Sequence, residues 1–302
     1  MFRQSLVALG VILLAFATTL GAERVFALSG RLAGTSPALA LVTEGPQSAC
    51  IAHARYESSF GHGEFQRDGF DPAFWDTHFA WGRANPSGGD GAYYADPNAA
   101  AGADTIAIAD DPQTDEKHVL RLRAQPDADR YVSGMIATWS RWRQRYGYFS
   151  ARMRLPKGKG LWPAFWMLDA NGNQLEWDIE ESLNDLAFVN QAEHIYAGKI
   201  QYGGKFRQSF DPSIAYHDYG VLLQPGTAGA TFYIDGNSVP RNSGLKDITA
   251  DHGAGPLGEY MMVTMQVGAE QSWSGPPDAT THWPADLYVA HVRAFKEVPG
   301  SC

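Results

Sequence analysis

The amino-acid sequence predicts an all-β sandwich. From Phe70 onward, short apolar or alternating runs are separated by Gly, Pro, Asn and Asp. The chain of 302 residues contains 32 Gly and 17 Pro, which supply many turns. We find no internal repeat and no long amphipathic helix. Short strands with turn signals between them are typical of two β-sheets packed face to face.

Composition indicates a globular protein and argues against a nucleic-acid partner. Hydrophobic residues make up 44% of the chain, which is ample for a core. Charged residues make up only 19%, too few for a disordered or coiled-coil chain. The formal net charge is -9 and no strongly basic patch stands out. Binding to a phosphate backbone relies on Lys and Arg, so we expect no nucleic acid.

The first residues have the features of an export signal. Arg3 provides a positive start, residues 6–16 form an uncharged apolar run, and small residues follow. We expect a signal peptide over residues 1–27, cleaved at 22 or 27. The alternative is an uncleaved membrane anchor over residues 5–22, which its Thr and Gly residues disfavour. The sequence therefore predicts a secreted protein, extracellular or periplasmic, with no stable membrane partner.

Cys50 and Cys302 are the two cysteines, and they lie near the two ends of the predicted folded region. In an oxidising compartment they can form one disulfide, and the alternative is two unpaired thiols. Residues 28–55 are mostly small and aperiodic, which predicts a linker or a loosely packed lead-in. The folded domain is expected over residues 56–302.

Period-two alternation predicts the individual strands. Residues 148–155 place Phe149, Ala151 and Met153 on one side and polar or aromatic residues on the other. Residues 162–168 are apolar throughout, as expected of a strand buried on both faces. Residues 231–234 run into Asp235-Gly236, a favoured hairpin turn. Three further strands are expected at residues 219–223, 261–267 and 287–295.

Four carboxylates lie within the six residues from Glu176 to Glu181. Apolar side chains alternate with the acids up to position 180, which predicts a central, half-buried strand with Glu176, Asp178 and Glu180 on one face. Neighbouring carboxylates oppose one another's ionisation, so at least one pKa should be raised. A raised acid beside an ionised carboxylate is what glycoside hydrolysis requires. An acidic strand facing solvent or a cation is the alternative interpretation.

The surrounding motifs resemble glycoside hydrolase family 16, the retaining endo-glycanases that include laminarinases, lichenases, agarases and exopolysaccharide depolymerases. The matching segments occur in the family's order over roughly residues 70–298. They are SGMI (133–136), YGYF (146–149) with GLWPAFWML (160–168), the acidic strand, YHDYGV (216–221), FYIDG (232–236) and SWSG (272–275).

The resemblance implies a β-jelly-roll sandwich of the concanavalin A type, with the substrate in a cleft on its concave sheet. It implies that Glu176 is the nucleophile, Asp178 its electrostatic partner and a later glutamate the general acid/base. Strict alternation puts Glu180 on the Glu176 face, whereas a β-bulge would bring Glu181 there instead. The family contains both spacings. We favour Glu181, because the residues after it resemble those of the laminarinase-like branch.

Further residues are candidates for substrate binding. His194 is expected near the cleavage site, where it can hydrogen-bond the acid, and a structural histidine is the alternative. Trp162 and Trp166 share one strand face and can floor a sugar subsite, although either can instead be core. The remaining candidates, which border loops or lie near them, are Trp139, Trp273 and Gln266. Aromatic rings suit sugars because axial C–H groups present an apolar face.

Two departures from the family qualify the resemblance. Trp177 replaces the usual aliphatic residue, and Ala290 stands where many relatives carry an Asp that helps to bind calcium. We therefore expect no required metal and no cofactor. The sequence as a whole predicts a monomeric, secreted endo-β-glycosidase acting on a β-1,3 or mixed-linkage glucan or an exopolysaccharide. The alternatives are a non-catalytic carbohydrate-binding protein on the same fold and a transglycosylase.

Overall fold

Two β-sheets face one another across one hydrophobic core. The computed structural model describes residues 48–100, 104–170, 175–196, 200–225, 230–239 and 257–302. Within these residues, eleven strands form the larger sheet and six form the smaller. The two short helical segments are α1 (Phe65–Asp68) and a 3₁₀ turn, Pro86–Gly88. The predicted all-β sandwich is therefore confirmed.

The larger sheet has the order β15-β14-β13-β8-β17-β5-β6-β3, with β1, β2 and β4 attached at its margins. Its strands are β1 (Ser48–Ile51), β2 (Ala54–Ser58), β3 (Ala92–Tyr94), β4 (Ile106–Ala109), β5 (Val119–Asp127), β6 (Arg130–Ser133), β8 (Gly147–Arg154), β13 (His217–Leu223), β14 (Thr231–Ile234), β15 (Asn237–Ser238) and β17 (Ala285–Ser301). The smaller sheet has the order β12-β11-β10-β9-β16-β7. Its strands are β7 (Met135–Ala137), β9 (Leu161–Asp169), β10 (Leu175–Ser182), β11 (Phe188–Ile195), β12 (Ile200–Arg207) and β16 (Glu259–Val267).

The alternation read from the sequence decides which side chains enter the core. On β8, Phe149, Ala151 and Met153 are fully buried between the sheets, as predicted. Every residue of β9 is buried, because this strand has the core on one face and the cleft on the other. The acidic strand β10 lies inside the smaller sheet, between β9 and β11. Trp177 projects from it into the core and is 0% exposed.

The sheet begins earlier than the predicted domain. Residues from Ser48 form β1 and β2, and β2 pairs with β17, so part of the segment expected to be a linker is structured. Cys50 and Cys302 are joined by a disulfide. The predicted signal segment, residues 1–27, lies outside the described residues. Within the described residues, none of the helical segments has the length and apolar character of a transmembrane span.

Replacing both cysteines with Ser is expected to lower the free energy of unfolding by about 2–5 kcal/mol. The disulfide closes a loop of 252 residues, so its loss releases much conformational freedom in the unfolded chain. Guanidinium denaturation of the wild type, oxidised and reduced, and of the double variant checks this. The reduced wild type should match the variant. Equal midpoints for oxidised and reduced protein would contradict the prediction.

Candidate active site

The centre of the smaller sheet positions three acidic side chains over one cleft. Cross-strand register aligns Glu176 with His194, Asp178 with Trp166, and Glu181 with Asn190. All of these residues line a cleft of about 1090 Å³. The strands that supply them, β9, β10 and β11, are flanked by β16 and β12, so the acids are held by a rigid sheet rather than by loops.

A β-bulge interrupts the alternation of β10. Its register with both neighbours shifts between Asp178 and Glu181, and two residues of β10, Ile179 and Glu180, stand opposite one residue on each neighbouring strand. The extra residue turns Glu181 onto the face of Glu176 and Asp178. Glu180 is 0% exposed and does not line the cleft. Strict alternation, which placed Glu180 on the cleft face, is therefore wrong.

Glu181 accepts two hydrogen bonds in the cleft. The Trp162 indole N–H donates to Oε1 at 2.9 Å, and the Asn190 amide donates to Oε2 at 3.0 Å. Burial raises the pKa of Glu181, and these two donors partly oppose the rise because they favour the ionised form. Glu181 is thus a carboxyl group that holds a proton more readily than an exposed glutamate.

Glu176 and Asp178 form the other part of the acidic cluster. Burial, and then the charge of Asp178, raise the pKa of Glu176 to about 8. Burial, and then the charge of Glu181, raise the pKa of Asp178 well above its ordinary value. The Tyr196 hydroxyl donates to Glu176 Oε2 at 2.8 Å and favours the carboxylate. Both carboxyl groups of this pair therefore hold a proton more readily than exposed carboxyl groups do.

His194 lies against the Glu176–Asp178 pair rather than against Glu181. Its Nε2 is 2.9 Å from Asp178 Oδ2 and 4.0 Å from Glu176 Oε1. The sequence predicts that His194 hydrogen-bonds the general acid. In the structure His194 contacts Asp178 instead, because cross-strand register places His194 opposite Glu176. Ligand atoms of these three residues lie within 4.8 Å of one another, which is compact enough to hold one metal ion.

Aromatic side chains form much of the cleft wall. Trp162 and Trp166 lie on its floor, each 6–7% exposed, and the Trp166 indole N–H donates to Thr264 Oγ1. Trp273 is 44% exposed and meets Trp162 edge to face. Gln266 lines the same cleft from β16. Together with His194, five of the six predicted binding residues therefore line the cleft, with surfaces suited to sugar rings and hydroxyl groups.

Trp139 is the predicted binding residue that the structure does not bring to the cleft. It follows the short edge strand β7, packs against the core, and donates its indole N–H to the His78 carbonyl at 2.9 Å. Its position next to a loop did not reveal this orientation. Ala290, one of the two positions at which the sequence departs from the family pattern, is buried in a small cluster with Val119 and Tyr288.

Several cleft residues were not anticipated from the sequence. Asn190 and Tyr196 lie on the same side of β11 and its continuation as His194, so period-two counting from His194 would have found both. Trp81 and Lys205 also line the cleft, but no local pattern distinguishes them. Asn85, Ser87 and Gly88 form one rim of the cleft. Asp90 holds this rim by accepting the Val267 backbone N–H.

Comparison with known proteins agrees with this geometry. The family described as "Glycosyl hydrolases family 16" matches residues 102–285. The chain is 28% identical over 240 residues to the endo-1,3-1,4-beta-glycanase ExsH of Rhizobium meliloti (strain 1021), covering 73% of this chain and 47% of that relative. It is 26% identical over 200 residues to a beta-glucanase of Rhodothermus marinus, covering 60% and 68%.

The fold is shared with solved glucanases. The endo-beta-1,3-glucanase of Pyrococcus furiosus superimposes with a TM-score of 0.64 at 22% identity, covering 85% of this chain and all of that one. The laminarinase catalytic domain of Thermotoga petrophila RKU-1 gives 0.63 at 22% identity, covering 81% and 99%. Since the family match extends over more than half of its residues, the chain belongs to glycosyl hydrolases family 16.

Proposed function

We propose that the protein is a secreted, retaining endo-β-glucanase that hydrolyses β-1,3 or β-1,3-1,4-glucan by double displacement. The observation that carries the proposal is the bulge of β10, which puts Glu181 beside Glu176 and Asp178 on the cleft face while removing Glu180 from it. Two carboxyl groups with different environments on one cleft are what a glycoside hydrolase requires.

In the first step, the Glu176 carboxylate attacks the anomeric carbon of the sugar in the cleft. The glycosidic C–O bond breaks as Glu181 gives its proton to the departing oxygen, leaving a glycosyl ester on Glu176. In the second step, the Glu181 carboxylate takes a proton from water, and the water oxygen displaces Glu176 from the same carbon. Two inversions retain the β configuration.

The neighbouring groups suit these assigned roles. Asn190 and Trp162 hold both oxygens of Glu181, which fixes the direction of proton transfer. Tyr196 stabilises the Glu176 carboxylate through its hydroxyl. Asp178, held at 2.9 Å by His194, shares a proton with Glu176 and adjusts its ionisation as the ester forms and breaks.

The glucan substrate is inferred from the relatives. The similar proteins include endo-1,3-1,4-beta-glycanases and a glucan endo-1,3-beta-glucosidase. The chain spans about half the length of the first of these relatives and about a third of the second. A bacterial-type exopolysaccharide is the second substrate class that we propose.

Export and domain organisation are part of the proposal. The Cys50–Cys302 disulfide supports an oxidising compartment, since such bonds are rare in the cytosol. The apolar run at residues 6–16 supports a signal peptide within residues 1–27. We propose a catalytic domain over residues 56–302, with β1 and part of β2 attached to its margin, and a monomeric enzyme.

The test is hydrolysis of a polysaccharide panel by the purified protein. Laminarin, lichenan and an acidic exopolysaccharide should be compared by reducing-sugar release and product size. Proton NMR during the first turnovers should show the β-anomer of the new reducing end before mutarotation. Binding without release from any polymer would overturn the enzyme in favour of a carbohydrate-binding protein. Products longer than the substrate would indicate transglycosylation.

The pH profile should respond in opposite directions to two substitutions beside Glu176. The charge of Asp178 raises the pKa of Glu176, whereas the charge of His194 lowers it. Asp178→Asn should therefore move the acidic limb of kcat/KM to lower pH, and His194→Gln should move it to higher pH. Both are measured with an aryl β-glycoside. Shifts of the same sign would contradict the assignment of this limb to Glu176.

A further inference from the structure

The edge strand of the smaller sheet presents two cations on the cleft side. Lys205 stands opposite Asn190, and Arg207 stands opposite Phe188, in the antiparallel pair β11–β12. Alternate residues of a strand share a face, so Lys205 and Arg207 project in the same direction as Asn190. Asn190 hydrogen-bonds Glu181 on β10, so only one strand, β11, lies between the two cations and the catalytic carboxyl group.

Each cation lies over an exposed aromatic ring. Lys205 Nζ is 5.2 Å from the centroid of Trp273, and Arg207 Cζ is 4.9 Å from the centroid of Phe188. The rings are 44% and 40% exposed, respectively, which is unusual for such large apolar groups. Both cation–aromatic contacts are accessible to solvent, so a bound sugar chain can reach the rings and the charges together.

A small cavity joins Phe188, Lys205 and Trp273 to the catalytic cleft. Its volume is about 190 Å³, and its lining includes Phe188, Lys205 and Trp273. It shares Glu181, Asn190, Lys205 and Trp273 with the main cleft. We call Lys205, Arg207, Phe188 and Trp273 the basic margin of the cleft.

Lys205 and Arg207 of the basic margin form no ion pair with any residue that the structure describes. By contrast, Lys157 pairs with Asp211 at 2.9 Å and Arg152 with Asp218 at 2.8 Å. The protein carries a net charge of -9, so two neighbouring cations without acidic partners run against its overall balance. A neutral glucan would use the rings and leave the charges without a partner.

We propose that the basic margin binds carboxylate groups, so that the enzyme prefers a β-linked polysaccharide carrying acidic sugars or acidic substituents over a neutral glucan. This inference rests on the proposed function, since it names the substrate class of the same cleft. The ammonium and guanidinium groups pair with carboxylate, and the rings take the C–H faces of the sugars that carry it. Asp185 also lines the small cavity and opposes the anion.

The experiment compares a β-1,3-glucan in three derivatives with equal degrees of modification. One is carboxymethylated, one is oxidised at C6 to uronic acid, and one is hydroxyethylated as the neutral control. The measured quantity is the ratio of kcat/KM on an anionic derivative to that on the neutral one. The two anionic arms distinguish a substituent from an acidic sugar.

The wild type should have a ratio above one that falls toward one as NaCl rises, because salt screens exposed charges. Lys205→Gln/Arg207→Gln should lower the ratio roughly five- to tenfold, as expected for two exposed ion pairs. Asp185→Asn should raise it. Lys157→Gln, the matched control for a cation outside the cleft, should leave the ratio unchanged. The proposal would be overturned if the double variant left the ratio unchanged, or if Asp185→Asn lowered the ratio instead of raising it.

Failure of the proposed function is detected separately. If the wild type hydrolyses none of the derivatives, the glucanase assignment fails. Binding of the polymers then tests whether the basic margin recognises carboxylate groups. Gel retardation of the Glu176→Gln protein by each polymer gives this readout without cleavage. Stronger retardation by the anionic polymers, lost with Lys205→Gln/Arg207→Gln, supports the subsite. Equal retardation by all three polymers overturns it.

Discussion

Glu176→Gln is expected to lower kcat on β-glucan by about 10³-fold or more while polysaccharide binding persists. The substitution keeps the shape of the side chain and its contact with Tyr196, but an amide cannot form the glycosyl ester. The loss should therefore appear in kcat rather than in KM. Reducing-sugar release measures the loss, and gel retardation measures the binding.

A covalent trap provides a second readout for Glu176. A 2-fluoro-β-glycoside with a good leaving group should add one sugar mass to the wild type, located by peptide mass spectrometry on Glu176. The Glu176→Gln protein should not be labelled. Asp178→Asn, next but one on the same strand face, is the matched control and should still be labelled at Glu176. Labelling of Asp178 in the wild type would contradict the assigned nucleophile.

Glu181→Gln and Glu180→Gln are expected to behave very differently, although the two residues are adjacent. Glu181→Gln should lower polysaccharide hydrolysis by about 10²- to 10⁴-fold, because the amide cannot give a proton to the leaving oxygen as the assigned acid does. An aryl glycoside whose leaving group needs no acid should still form the glycosyl-enzyme rapidly. Azide should then restore turnover, because this nucleophile needs no general base.

Glu180→Gln is the matched control for this substitution. Glu180 is fully buried, and burial raises its pKa well above the ordinary value, so its side chain is neutral and close in shape to Gln. The variant should retain activity on polysaccharide and show no rescue by azide. Fast glycosylation with azide rescue in Glu180→Gln, and its absence in Glu181→Gln, would mean that the acid/base had been assigned to the wrong residue.

Burial also explains why Glu180 is neutral in the folded protein. Among the residues that the structure describes, neither of its carboxyl oxygens has a partner in hydrogen-bond geometry, and an ionised group in such surroundings is strongly disfavoured. Because the pKa of Glu180 is raised in the folded protein, its contribution to the free energy of unfolding depends on pH. The contribution of the protonated side chain is fully present below the pKa of the unfolded chain and is lost as pH rises through the folded value.

Much of the fold could be predicted from the sequence because it depends on the local alternation of apolar and polar residues. Alternation along β8 separated Phe149, Ala151 and Met153 from the outward residues, and continuous apolarity marked β9 as buried on both faces. These patterns reflect the two faces of a strand, which are set by the backbone itself. The family motifs then indicated which strand carries the acids and how the sheets are arranged.

The candidate site depended on register, which local pattern does not contain. Alternation alone placed Glu180 on the catalytic face, and only the bulge between Asp178 and Glu181 exchanged the two glutamates. Pairing between β10 and β11 set His194 against Asp178, and the loops around the sheet turned Trp139 away from the cleft.

Lys205 is another cleft residue whose position depends on strand pairing rather than on local sequence. In the sequence it is one of many surface lysines, and it becomes part of the cleft only because β12 pairs with β11 and Trp273 comes from a loop far along the chain. The sandwich, the acidic strand and the candidates Glu176 and Asp178 could be predicted without coordinates, since they follow from periodicity and motif. Which glutamate faces the cleft, and which residues surround it, depends on strand register, because a one-residue change of register moves a side chain to the opposite face of a sheet.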